Sequence, residues 1–162
     1  MNESLINLLH KEHEEIMYAI DRITQESAED SERLKDQWTD VKQQIIPHLV
    51  AEEKTLYDTL KGVPQAMSYA QKAHEQHRKL ETDIFEINSL PLLDMDGWMT
   101  GFNRLKADAQ MHFQFEESAL FDVEQTFLDQ GQQQKIMDEF QKAKDEAKNS
   151  TIEGRYEAGF LV

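Results

Sequence analysis

The chain has 162 residues, enough for one domain with a sizeable core but too few for two typical domains. Its 32 acidic and 17 basic side chains give a formal net charge of -15, which argues against nucleic acid or an anionic membrane as a partner. Cysteine is absent, which excludes disulfides, thiolate zinc sites, cysteine-ligated iron–sulfur clusters and cysteine nucleophiles.

The predicted secondary structure is helical throughout. Good helix formers are abundant, period-two runs of Val, Ile and Thr are absent, and only 6 Gly and 3 Pro interrupt the chain. The five predicted helices run from about residue 4 to 27, 31 to 61, 64 to 89, 96 to 130 and 132 to 148. We expect an up-down-up-down four-helix bundle over residues 4–130 and a short extra C-terminal helix over 132–148. Residues 1–148 then form one domain, and residues 149–162 form a C-terminal tail.

Each of the first four predicted helices carries an apolar stripe that identifies its core-facing side. Successive stripe residues are three or four positions apart, or sums of these steps, as expected for one helix face. The stripes consist of Leu9, Ile16, Ile20 and Ile23 in the first helix; Leu34, Trp38, Val41, Ile45, Leu49 and Leu56 in the second; Ala73, Leu80, Ile84 and Ile87 in the third; and Trp98, Phe102, Leu105, Ala109, Ala119 and Val123 in the fourth. Four such stripes predict one core shared by four helices.

All six histidines take part in an internal repeat of 64 residues. The repeat relates His10 to His74, His13 to His77, and His48 to His112. It also relates Glu52 to Glu116, and Glu53 to Glu117. Each half reads HxxH on its first helix and HxxxEE on its second, so we expect two similar helical hairpins related by an approximate twofold axis.

Six members of this repeat lie on the core stripes and predict a metal site. They are His13, His48, Glu52, His77, His112 and Glu116. A single core histidine is more often a hydrogen-bonded structural residue, but two buried carboxylates without partners would cost several kcal/mol each. A cation in the core removes that cost. Glu53 and Glu117 each follow a core glutamate by one residue, about 100° round the helix. They are expected to be solvated or to support the ligands.

The ligand types narrow the choice of metal. Imidazole and carboxylate without thiolate suit iron, manganese, zinc or copper. A glutamate four residues after a histidine lies about 40° round and 6 Å along the helix, so it can bridge to an ion held by the other half. Two bridging carboxylates and two histidine sets predict two ions, and such a pair in a helical bundle is typically iron or manganese.

Four segments together resemble the hemerythrin-like HHE cation-binding domain: LLHKEHEEI, HLVAEEKTLY, HEQHRKL and HFQFEESALF. The resemblance covers about residues 1–130. It implies a hemerythrin-like bundle that holds two iron ions joined by an oxo or hydroxo bridge. It further implies bridging roles for Glu52 and Glu116, with His13 and His48 on one iron and His77 and His112 on the other.

The remaining histidines depart from the family pattern. Oxygen-carrying hemerythrins have two histidines four residues apart on the third helix, whereas this chain has His74 and His77 three apart and repeats that spacing as His10 and His13. His74 and His10 are therefore candidates for extra ligands or for side chains at the edge of the site. The six core ligands and a bridging oxygen leave two of about twelve coordination positions open. One extra histidine leaves one position for oxygen, and two leave none.

The leading functional hypothesis is a non-haem di-iron protein that binds or senses oxygen or responds to iron and redox state. The expected partners are small ligands such as O2, NO or peroxide, and the protein partner stays open. One alternative is a di-iron enzyme acting on peroxide or nitric oxide, which Tyr18 or Tyr57 beside the metals would favour. Another is a metal-free helical interaction module. Iron supply for cluster repair is less expected, because family members with that role carry a cysteine-bearing segment.

The expected location is the cytoplasm. No apolar run reaches the length of a membrane span. The first segment, MNESLINLLHKEHEE, turns acidic too early for a secretion signal.

Overall fold

The structure, a computed structural model, describes residues 3–25 and 30–152, which form five helices joined by short turns. The bounds are α1, Leu5–Gln25; α2, in three continuous segments, Ser31–Glu52, Glu53–Tyr57 and Asp58–Lys61; α3, Met67–Asn88; α4, also in three segments, Met95–Phe115, Glu116–Leu120 and Phe121–Phe127; and α5, Gln130–Ile152. The all-helical prediction is confirmed.

The helices pack as two hairpins. The first hairpin consists of α1 and α2, and the second of α3 and α4. α1 also packs on α4, and the C-terminal part of α2 packs on α3, so the two hairpins close a four-helix bundle. The extra helix α5 lies along α2 and touches α1. In the described part of the chain, no helix combines the length and apolar character needed to cross a bilayer.

Two apolar clusters fill the bundle, one on each side of a polar layer. The Trp38 cluster contains the stripe residues between that layer and one end of the bundle, including Ile20, Ile84 and Phe102. The Phe140 cluster fills the other end and includes Leu9. Each bundle helix contributes to both clusters, so its polar layer residues are held between two packed apolar regions.

A π-helical segment interrupts α2 and another interrupts α4 at equivalent places in the repeat. The segments are Glu53–Tyr57 and Glu116–Leu120. A π-turn has an i→i+5 pattern and so shifts the phase of the residues that follow it. This explains one difference from the predicted stripe, because Leu120 is fully buried while the predicted Ala119 is only partly buried.

Helix α3 begins three residues later than predicted. The N–H of Val63 donates to the carbonyl of Leu60 at 3.0 Å, and the N–H of Ala66 donates to the carbonyl of Val63 at 2.9 Å. These successive i→i+3 turns place Pro64 in the connection and not in the first helical turn.

Helices α4 and α5 meet earlier than predicted. Leu128 has an extended backbone (φ -113, ψ 127) and ends α4, so Gly131 is not the stop. Asp129 then begins α5 through a capping box, in which the N–H of Gln132 donates to Asp129 Oδ1 at 2.8 Å and the N–H of Asp129 donates to Gln132 Oε1 at 2.9 Å. The helix continues to Ile152. Residues 26–29, which include the predicted end of the first helix, and residues 153–162 of the predicted tail lie outside the described residues.

Candidate metal centre

The structure brings the six core residues predicted as ligands into the single polar layer between the two apolar clusters. Their exposure does not exceed 2%, and five of them are fully buried. The members are His13 from α1, His48 and Glu52 from α2, His77 from α3, and His112 and Glu116 from α4. Ligand atoms from all four bundle helices therefore converge where solvent is excluded.

One group of ligand atoms defines a first space for an ion, here position A. His13, His48 and Glu52 each offer one atom, and these atoms lie within 4.8 Å of one another. Glu52 Oε1 is 3.2 Å from His48 Nε2 and 3.8 Å from His13 Nε2. Position A belongs to the first hairpin.

A second group defines position B. Glu52, His77, His112 and Glu116 offer one atom each, again within 4.8 Å of one another. Glu52 Oε2 is 3.2 Å from His77 Nε2, and Glu116 Oε1 is in close contact with His112 Nε2. The histidines of position B belong to the second hairpin.

Each of the two glutamates faces both positions. Glu52 turns Oε1 towards position A and Oε2 towards position B. Glu116 contacts His112 with Oε1, while its Oε2 lies 3.9 Å from His13 Nε2 on the other side. This is the arrangement that a bridging carboxylate requires.

The donor atoms fit a metal. Four buried atoms in the cluster have no hydrogen-bond partner: His13 Nε2, His48 Nε2, Glu52 Oε1 and Glu116 Oε2. Buried polar atoms are normally paired, and leaving them unpaired is costly. All four atoms belong to common metal-ligating groups and face the shared space, so cations in positions A and B would satisfy them.

The charges in the layer are strongly coupled. Burial opposes the charged imidazole, yet the charge of Glu52 and a hydrogen bond to Glu12 raise the pKa of His48 to about 10. Burial likewise opposes ionisation of Glu52, but His48 and the neighbouring histidines lower its pKa well below the usual value. The layer thus favours ionised carboxylates that attract positive charge, and a metal cation could supply that charge in place of the imidazole protons.

Each ligand histidine is also held through its second ring nitrogen. His48 Nδ1–H donates to Glu12 at 2.8 Å, and His13 Nδ1–H donates to Glu117 at 3.0 Å. The other two make equivalent bonds, from His77 to Glu53 at 3.1 Å and from His112 to the amide oxygen of Gln76 at 2.8 Å. Such bonds fix the orientation of each ring, with Nε2 facing the shared space where a metal ion could bind.

The two edge histidines lie beside these supporting carboxylates. His10 Nδ1 is 2.8 Å from Glu117 Oε1, and its side chain is 52% exposed. His74 Nδ1 is 3.7 Å from Glu53 Oε1, and its side chain is 28% exposed. Neither belongs to the two groups of converging ligand atoms found among the described residues.

Tyr57 is a further member of the buried layer. Its hydroxyl donates to Glu116 Oε1 at 2.7 Å and lies 2.9 Å from His77 Nε2. Burial and the charges of Glu116 and Glu52 raise the pKa of this phenol well above its usual value. Tyr18, the other tyrosine considered, lies on the surface, 67% exposed.

Sequence reasoning did not single out Glu12 and Gln76, although the repeat contains a signal for them. The two residues are 64 positions apart, and each directly precedes a ligand histidine. Lys144 of α5, which forms an ion pair with Glu12, had no comparable signal.

The chain belongs to the hemerythrin family: the profile of the Hemerythrin HHE cation binding domain matches residues 4–123. That range contains the complete bundle layer described above. No curated protein and no solved structure matches the chain. Family and geometry together define a metal-binding protein.

Proposed function

We propose that the chain holds a pair of iron ions in positions A and B, and that it binds or senses oxygen or responds to iron and redox state. This proposal rests on the orientation of Glu52 and Glu116. Each carboxylate turns one oxygen towards position A and the other towards position B. Two ions can share both carboxylates, whereas one ion would leave part of the ligand set unused.

The donor chemistry favours iron. Every ligand offers nitrogen or oxygen, and a carboxylate-bridged pair inside a helical bundle is typically iron or manganese. Bound as a pair, iron would supply two adjacent redox-active centres able to bind a small ligand. Manganese and zinc fit the same donors and are therefore outcomes that the experiment must separate.

The proposed ligand set leaves coordination positions open for a small ligand. Four histidines, two bridging carboxylates and one shared oxygen account for about ten of twelve positions. His10 contacts Glu117, and His74 lies 3.7 Å from Glu53. Neither is among the converging ligand atoms of the described residues, so two coordination positions would stay open. Because the layer is buried, the ligand is expected to be as small as O2 or NO.

The test is reconstitution of the apoprotein with Fe(II) without oxygen, followed by metal analysis and absorption spectra under nitrogen, oxygen and nitrogen again. We expect two irons per chain and a reversible spectral change with oxygen. Glu75→Ala, which removes an exposed glutamate two residues before His77, is the matched control and should behave like the parent. A single ion, a strong preference for zinc, or a folded protein that takes up no metal would contradict the proposal.

Tyr57 favours a second candidate, an enzyme acting on peroxide or nitric oxide. Its hydroxyl lies at position B and donates to Glu116, so it can present a hydrogen bond or a proton to a ligand bound there. Tyr57→Phe should then abolish turnover while two irons remain, and Tyr18→Phe should not. A parent protein that consumes neither peroxide nor nitric oxide would eliminate this candidate.

A further inference from the structure

The residues that support the ligand histidines differ between positions A and B. At position A, both imidazoles donate to carboxylates, which are Glu12 behind His48 and Glu117 behind His13. At position B, His77 donates to a carboxylate but His112 donates to the neutral amide of Gln76. Glu12 and Gln76 are equivalent in the repeat, so the two hairpins support their ligand histidines differently at one equivalent position.

The extra helix takes part in this difference. Lys144 of α5 forms an ion pair with Glu12 Oε1, while Glu12 Oε2 accepts from His48. Glu12 is almost fully buried, so a fixed cation beside it compensates its charge and holds its orientation. Phe140, one helical turn before Lys144, packs edge-on to the His48 ring with centroids 5.9 Å apart.

A carboxylate behind a ligating histidine makes the imidazole a stronger donor than a neutral partner does. Loss of such a partner typically lowers metal affinity by about 10-fold to 100-fold. Position A has two carboxylate-supported imidazoles, and position B has one. The difference therefore bears on how firmly each ion is held.

We propose that Glu12, positioned by Lys144 of α5, makes position A retain its metal ion longer than position B does. The inference rests on the proposed function, because it requires two bound ions. It assigns α5 a role in the metal centre that its sequence, typical of a solvated amphipathic helix, does not indicate.

The experiment measures metal release from protein loaded with two Fe(II) ions without oxygen, using excess of a chelator that becomes coloured on binding Fe(II). We expect a fast and a slow phase of equal amplitude. Glu12→Gln keeps a hydrogen-bond acceptor for His48 and should accelerate the slow phase about 10-fold. The repeat-matched change, Gln76→Glu, should instead slow the fast phase. His112→Ala removes a ligand from position B. The variant should therefore retain only the ion in position A, and that ion should leave in the slow phase.

Lys144 is tested by a double-mutant cycle. Lys144→Met should accelerate the slow phase, whereas Lys144→Arg, which keeps the positive charge, should release metal at the parent rate. In protein that already carries Glu12→Gln, Lys144→Met should cause no further acceleration of the slow phase. Urea unfolding of each apoprotein shows whether Lys144→Met acts only on fold stability. A loss of stability without a change in either release phase would assign Lys144 a structural role and overturn the inference.

The outcomes separate the two proposals. A parent protein that never loads two ions contradicts the proposed function. A parent that loads two ions but releases them in one phase, or whose slow phase is unchanged in Glu12→Gln, contradicts this inference alone. Acceleration of the same phase by Glu12→Gln and Gln76→Glu would also overturn it, because the two changes would then act on one ion.

Discussion

The first and second hairpins contribute equivalent ligands, and they differ in what surrounds those ligands. Three repeat-related pairs show the difference: Glu12 with Gln76, Tyr57 with Phe121, and Leu60 with Glu124. All six residues lie in or near the buried layer, but each pair exchanges a polar or charged group for a less polar one. Under the proposed function, a bridged pair of ions uses the duplicated residues as ligands, whereas the environment of each ion differs between the hairpins. Variants that exchange or remove members of these pairs test that view.

The largest effect is expected where the hairpins are equivalent. Glu52→Ala and Glu116→Ala should each prevent tight binding of both ions, because each carboxylate faces both positions. A parent protein at a free metal concentration about 100 times the dissociation constant is stabilised by about 2.7 kcal/mol for each bound ion, and both variants should lose that gain. Thermal unfolding with and without metal, together with metal titration, measures the effect. Two tightly bound ions in Glu52→Ala would show that this carboxylate does not bridge.

The convergence of the candidate ligands was predictable because their spacing is set by the helix. His48 and Glu52, four residues apart on one face, repeat as His112 and Glu116, and no partner outside the bundle is needed to find them. The apolar stripes were predictable for the same reason.

Helical spacing did not place two other members of the site: Tyr57 was only one of two candidate tyrosines, and Lys144 was not considered. In an α-helix, position 57 would lie about 140° round from position 52, away from the ligands. The π-helical segment Glu53–Tyr57 changes that angle and brings the Tyr57 hydroxyl to the cluster. Lys144 could not be found because its contact with Glu12 spans 132 residues and depends on how α5 packs.

The pair Leu60 and Glu124 gives the next largest expected effect. Glu124 is fully buried, and neither of its carboxylate oxygens has a hydrogen-bond partner. Burial, together with the charges of Glu116 and Glu52, raises the pKa of Glu124 to about 8. Replacement by the residue of the other hairpin, Glu124→Leu, should stabilise the apoprotein at pH 8 by about 2 kcal/mol.

The stability difference between the parent and Glu124→Leu should depend on pH. Because the pKa of Glu124 is higher in the folded protein than its ordinary 4.5, the parent loses stability as pH rises from about 4.5 to about 8. The advantage of Glu124→Leu should therefore be greater at pH 8 than at pH 5, as measured by urea unfolding of both proteins. Metal should reduce the difference, since bound cations offset Glu52 and Glu116. An equal advantage at both pH values would show that folding does not raise the pKa of Glu124 above its ordinary value.

A smaller effect is expected from the pair Tyr57 and Phe121. Phe121 packs near the His13 ring, with centroids 6.1 Å apart, but offers no hydroxyl to position A. Tyr57→Phe should make position B resemble position A in this respect. The lost hydrogen bond to Glu116 should lower the free energy of unfolding of the apoprotein by about 1 kcal/mol. Chemical denaturation measures it, with Tyr18→Phe as the control, and no difference between the two variants would mean that the buried hydroxyl contributes nothing to stability.

The smallest effects are expected at the edge histidines, which also decide how many ligands the centre has. His10 is about half exposed, so its contact with Glu117 resembles a surface ion pair, worth about 0–1 kcal/mol. His74 lies 3.7 Å from Glu53, which is too far for a hydrogen bond. His10→Ala and His74→Ala should therefore each retain two ions, as measured by metal content after dialysis. His10→Ala should have the larger effect on affinity, because His10 lies 2.8 Å from Glu117 whereas His74 lies 3.7 Å from Glu53. If His74→Ala lost an ion and His10→Ala did not, His74 would be a fifth histidine ligand. The second hairpin would then hold its ion with more direct ligands than the first, although fewer of its histidines are supported by carboxylates.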